Sequence, residues 1–127
     1  MDKAALVTID LARGTEWLKA LDDSDLGVSV AIWVYLPEYE NWRFVLSSRR
    51  LDAVRPPKAY GMVHDAFDRA GLPLERTPSL LILPMKDPSI RELRRTYGKA
   101  KTVEGRRIGG QLFGDRFIED GIAYRIR

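Results

Sequence analysis

The stretch from Val28 to Leu36 constrains the fold more than any other. Val28, Val30, Ile32, Val34 and Leu36 alternate strictly with Ser29, Ala31, Trp33 and Tyr35. Successive side chains of a strand point to opposite faces. One face of this strand is wholly aliphatic, and the other is also largely apolar. Such a strand belongs in the middle of a sheet, covered on both sides.

The residues that follow supply its first neighbour. Pro37, Glu38, Tyr39, Glu40 and Asn41 form a five-residue turn. Trp42, Phe44 and Leu46 then alternate with Arg43, Val45 and Ser47. Two alternating runs across a short turn predict an antiparallel hairpin. Before it, Val7, Leu11, Gly14, Leu18 and Leu21 recur at helical spacing, predicting a helix over 2–23 with Trp17 flanking the stripe. Gly14 marks either a close packing contact or a late helix start near Thr8 or Asp10. Asp22, Asp23, Ser24 and Asp25 end the helix, with Gly27 as a turn residue.

A second helix is predicted over 57–70, with Tyr60, Val63, Phe67 and Ala70 inward, Gly71 as its left-handed terminus and Pro73 beyond. The apolar run 80–83 reads as a short buried strand. Asp87 followed by Pro88 is an N-cap with proline at the first helical position. That third helix ends at Gly98 and turns Ile90, Leu93 and Tyr97 inward. Ile108, Gly110 and Leu112 alternate, Gly114-Asp115 makes a tight turn, and Phe117, Ile122, Tyr124 and Ile126 continue the β pattern. Glu119-Asp120-Gly121 reads as a bulge. The fold class is therefore α+β: a single layered domain over 1–127, in the order α-β-β-α-β-α-β-β. Its mixed, mostly antiparallel sheet has about five strands, with helices mainly on one face.

Composition narrows the chemistry. The chain has no cysteine, which excludes a disulfide framework, a thiolate zinc site and a cysteine nucleophile. His64 is the only histidine, so a multi-histidine metal site is excluded too. It lies beside an apolar helical stripe and reads as a boundary residue that packs and hydrogen-bonds. The opening residues lack a signal-peptide pattern. The longest apolar stretch is far short of the ~20 residues that span a bilayer. The expectation is a cytoplasmic protein with no membrane association and no cofactor.

The charge is lopsided. Residues 1–40 carry three basic and eight acidic side chains; residues 86–107 carry eight basic and three acidic. Such asymmetry marks a candidate face for an anionic partner, unless the two regions neutralise each other. The candidate binding residues are Arg94, Arg95, Lys99, Lys101, Arg106 and Arg107, with Arg49 and Arg50 in the connector after the second strand. Arg49 and Arg50 are expected to pair internally with Glu38, Glu40 or Asp52. The glycines from Gly105 to Gly114 do not fit a dinucleotide pattern, because they fall inside predicted strands, and the only Gly-Lys pair, Gly98-Lys99, is followed by Ala100 and preceded by Leu93 where a P-loop needs glycine. The glycines from Gly105 to Gly114 are expected to permit a bulged, strongly curved terminal hairpin.

Two further constellations enter as alternatives. Trp33, Tyr35, Tyr39 and Trp42 gather at the first hairpin; they pack in the core or, if uncovered, form a patch for a protein partner or a second copy. Asp115, Glu119 and Asp120 could hold magnesium for a small phosphodiesterase or nuclease. The leading expectation is a non-catalytic binding or accessory module that contacts a polyanion such as nucleic acid, or a protein. A small-ligand sensor domain is the remaining alternative.

Overall fold

The structure, a computed structural model, describes residues 3–127, with side chains from residue 11 onward. Helix α1 (Lys3–Asp23) leads into β1 (Val28–Leu36) and β2 (Asn41–Ser48). A single turn, α2 (Arg49–Asp52), precedes α3 (Pro56–Arg69), β3 (Leu80–Ile82) and α4 (Pro88–Tyr97). The chain ends in β4 (Arg106–Ile108), β5 (Gln111–Phe113), β6 (Arg116–Ile118) and β7 (Asp120–Ile126). The main sheet has the order β3-β2-β1-β7-β4, and β5 with β6 forms a separate two-stranded sheet. Every pairing in the main sheet is antiparallel except β2 with β3.

β1 is the central strand, and its two apolar faces seed two core clusters. Val30, Ile32, Val34 and Leu36 pack with Val45, Ile90, Leu93, Ile108, Phe113 and Ile118. Ala31 and Trp33 pack with Trp17, Phe44, Leu46, Val63, Phe67 and Tyr124. A register shift between Val28 and Val30 carries Val28 to the second cluster. The alternation read from the sequence thus breaks at its first residue.

The long helices α1 and α3 cover the Trp33 face, while α4 and the β5–β6 hairpin cover the Val34 face. The expectation of helices on one face holds for α1 and α3 and not for α4. A helix's apolar stripe says which side turns inward but not which sheet face it meets.

Helix α1 is continuous through Gly14, with no late start. Of the expected stripe, Val7 lies outside the described side chains, Leu11 is exposed and Leu18 half-buried, whereas Gly14 and Leu21 are buried. Trp17 is the anchor and not a flank. It is 3 % exposed, meets Trp33 and Phe44 at 5.3 and 5.1 Å, and donates its Nε1 hydrogen to the Arg76 carbonyl. Gly14 is the close packing contact: a Cβ there would stand 2.1 Å from Tyr124 Cζ.

Helix ends follow local chemistry. Gly71, at φ +77°, closes α3: its N–H donates to the Asp68 carbonyl and Leu72 N–H to the Phe67 carbonyl. That is the paired bonding of a Schellman motif. At the end of α1 the left-handed position is held by Asp25, at φ +59°, with Leu26 N–H returning to the Leu21 carbonyl.

The last four strands depart from the plain hairpin pattern. Gly109 and Gly110, at φ +147° and +71°, separate β4 from β5. A Cβ on Gly109 would lie 2.7 Å from Asp120 Cα. The break lets β5 and β6 leave the main sheet and fold over its Val34 face, where Phe113 and Ile118 are buried. The expected curvature is real, and it amounts to a separate sheet.

Candidate functional site

The described surface most unlike its surroundings lies on α4 and the segment that follows. Asp87 caps α4 by accepting from Ser89 N–H at 2.9 Å, with Pro88 at the first helical position. Ile90 and Leu93 are buried. Arg91 and Arg95 are exposed, while Arg94, one turn after Ile90, is half-buried. Arg91 is exposed and makes no ion pair among the described residues. Arg94 donates through Nε to the Arg127 carbonyl at 3.0 Å. Arg95 pairs with Glu92, whose hydrogen bond and charge raise the guanidinium pKa.

From 99 to 105 only Val103 is buried. It pins the segment to the core, so Lys99 and Lys101 project into solvent. The Arg106-Arg107 pair is split by strand alternation. Arg106 shares the α4 side with Ile108 and lies over the Tyr97 ring, 5.2 Å from its centroid. Arg107 faces the other side and holds Asp120 through Nε and Nη2, both at 2.9 Å. The hydrogen bond and charge of Asp120 raise its pKa.

Three acidic side chains of the N-terminal region are engaged away from this surface. Among the described residues, Asp22 pairs with Arg125, Asp23 with Lys19 and Glu38 with Arg116. None of these partners lies within 86–107. Arg116 is a clasp, with Asp87 at 4.0 Å on its other side. Burial lowers its pKa, and Tyr39, Glu38 and Asp87 more than reverse that.

The other sequence candidates fall elsewhere. Arg49 and Arg50 are exposed on α2, whose Leu51 packs into the cluster on the α1 and α3 side. Their expected internal pairing is not found among the described residues: Glu38 is held by Arg116, and Asp52 accepts from Met85 N–H at 2.9 Å. Trp33 and Trp42 stack at 5.7 Å and are each 7 % exposed. Both belong to the core cluster and, with Trp17 and the 76–79 segment, line one shallow recess; the alternative aromatic patch keeps only Tyr35, half-buried, and Tyr39, exposed and under Arg43. Asp115 sits at the hairpin turn while Asp120 is held by Arg107. Among the described residues no three carboxylate or imidazole groups converge to hold a metal ion. His64 is exposed and edges onto Phe67 at 6.4 Å.

A cleft of about 510 Å³ lies between α1, the 100–104 segment and β7. Lys101 and Arg127 line it, so it continues the α4 surface through the Arg94–Arg127 bond. Its walls also carry the Asp22–Arg125 pair and Glu104.

Two surface residues escaped the sequence reading. Leu112 and Phe117 face each other across β5 and β6 and are 63 % and 43 % exposed. The signal was present in the Gly114-Asp115 turn, which fixes Leu112 opposite Phe117 once Phe113 points inward. No helix among the described residues is long and apolar enough to cross a membrane. No family model matches the chain, and no curated protein or solved structure is significantly similar to it.

Proposed function

We propose that the protein is a non-catalytic binding module whose partner is a polyanion, nucleic acid above all. The contact runs along the outer side of α4 and the segment after it, through Arg91, Arg94, Lys99, Lys101 and Arg106. One observation carries the reading: Arg91, Lys99, Lys101 and Arg106 are exposed, and among the described residues Asp22, Asp23 and Glu38 of the acidic N-terminal region pair with Arg125, Lys19 and Arg116 instead. Lys and Arg that meet phosphates release condensed counterions, and this drives binding without any sequence-specific contact. Arg106 lies over the Tyr97 ring, 5.2 Å from its centroid, a contact that restrains the guanidinium while leaving it exposed to a phosphate.

The test is a titration of a labelled oligonucleotide by fluorescence anisotropy. Arg91→Glu with Lys99→Glu should weaken binding at least tenfold. Lys58→Glu with Arg69→Glu makes the same change in net charge on exposed residues of α3, across the sheet. That control should weaken binding far less. Equal losses for the two variants would reduce the interaction to net charge and remove the assigned surface.

A further inference from the structure

Leu112 and Phe117 face each other across β5 and β6 and are exposed, while Phe113 and Ile118 beside them are 1 % exposed. The hairpin that displays them is held at both ends. Gly114 abuts the first turn of α4 so closely that a Cβ would stand 2.5 Å from the Pro88 carbonyl carbon. Beyond β6, Glu119 N–H donates to the Tyr35 carbonyl at 3.1 Å. Charge decides what docks on this outer face. Asp115 and Glu119 stand two residues to either side of Phe117 and are exposed like it, as strand alternation dictates. Arg116, the one cation of the hairpin, turns toward Glu38 and Asp87, and its side chain is 16 % exposed. A nucleic acid or an anionic membrane is repelled from such a face. A cation is drawn to the carboxylates and to the ring together. The chain makes the ring contact twice within itself: Arg43 stands 4.7 Å from the Tyr39 centroid and Arg106 5.2 Å from that of Tyr97.

We infer that the outer face of this hairpin docks on a second copy of the chain, against its exposed cations Arg91, Lys99, Lys101 and Arg106. One molecule displays both halves of the contact, a carboxylate-flanked ring and a group of exposed cations. Among the described residues neither Asp115 nor Arg91 makes an ion pair within its own chain. The aliphatic stems of the arginine and lysine side chains supply apolar cover for Leu112 and Phe117. A symmetric contact of hairpin on hairpin would set carboxylates against carboxylates, which opposes it. Because the two halves differ, the association is head-to-tail and gives a ring or an open chain. The inference needs these cations to be exposed; it does not need them to bind a polyanion.

The experiment is sedimentation velocity of the full chain over a concentration series, at low and at high salt. The wild-type protein should associate at low salt and dissociate as salt screens the contact. Asp115→Lys with Phe117→Ser removes the hairpin half, and Arg91→Glu with Lys99→Glu removes the cation half. All four residues are exposed, and thermal melting checks beforehand that both variants fold. Each should weaken self-association at least about tenfold, as expected when a central contact is lost. Each variant keeps the half that the other lacks. Mixing them should therefore restore a complex, and it should stop at one copy of each. A wild-type chain that stays monomeric at low salt overturns the inference and leaves the polyanion reading standing. Association that survives Arg91→Glu with Lys99→Glu places the contact elsewhere and overturns it. A mixture of the two variants that stays monomeric does the same.

Discussion

Gly14→Ala reverses the effect that helix propensity alone predicts. In an open helix the change stabilises by about 1 kcal/mol. Here the new Cβ would lie 2.1 Å from Tyr124 Cζ and 2.2 Å from its Oη. Carbon atoms pack at roughly 3.5–4.0 Å, so the ring would have to retreat by about 1.4 Å or more. It has little room: Tyr124 is 5 % exposed and meets Phe44 edge-on at 6.0 Å. Overpacking of this kind costs about 1–3 kcal/mol. The steric cost outweighs the propensity gain, and the expected net loss is about 1 kcal/mol, or roughly 3–5 °C in Tm for a domain of this size. Trp17, Trp33 and Trp42 sit together in the same cluster, so tryptophan fluorescence during urea unfolding reports it directly. The midpoint should fall with the slope unchanged. In a Tyr124→Leu background the same substitution should become neutral or stabilising. A Gly14→Ala protein more stable than wild type would refute the packing of α1 on Tyr124.

Three further outcomes test other joints of the fold. Gly121→Ala places a Cβ 2.5 Å from Val34 Cγ1 and 2.7 Å from the Trp33 carbonyl oxygen, inside the β1–β7 pairing. Backbone cannot yield as a side chain can, so thermal melting should show a loss of about 3 kcal/mol. Ser48 is fully buried; its hydroxyl donates to the Leu26 carbonyl at 2.6 Å and accepts from Arg50 and Leu51 N–H. Ser48→Ala should cost about 2 kcal/mol in urea titration, since it removes a cap and strands buried groups. Asp25→Gly should stabilise by about 0.5–1 kcal/mol, because the left-handed backbone at φ +59° suits glycine better; an unchanged or lower Tm would contradict that geometry.

The elements were legible where one local rule governed each of them. The Val28–Leu36 alternation located the central strand, Asp87-Pro88 located the start of α4, and Gly71 located the end of α3. What local rules could not reach was placement in space. Nothing near Trp17 says that it will be the hub of an aromatic cluster made with Trp33 and Phe44. After α1 Gly27 is left-handed at φ +59°, as a turn residue should be, but the last residue of the polar run, Asp25, is left-handed as well, which nothing local announced. The Gly109-Gly110 pair signalled curvature, but the departure of β5–β6 into its own sheet depends on contacts with α4. For the same reason the basic cluster was visible as composition, while the separation of Arg106 from Arg107 needed the fold. The fate of the acidic region also turned on tertiary pairing, since Asp22 and Glu38 reach Arg125 and Arg116 far along the chain.

The central claim is that the cations of α4 and the segment after it meet a nucleic-acid backbone. The salt dependence of binding to a single-stranded oligonucleotide tests it most directly. Five phosphate contacts predict that log K falls against log salt concentration with a slope of about −3.5, and Arg91→Ala with Lys99→Ala should flatten it by about 1.4. A slope near zero, or one that the double substitution leaves unchanged, would contradict the assignment.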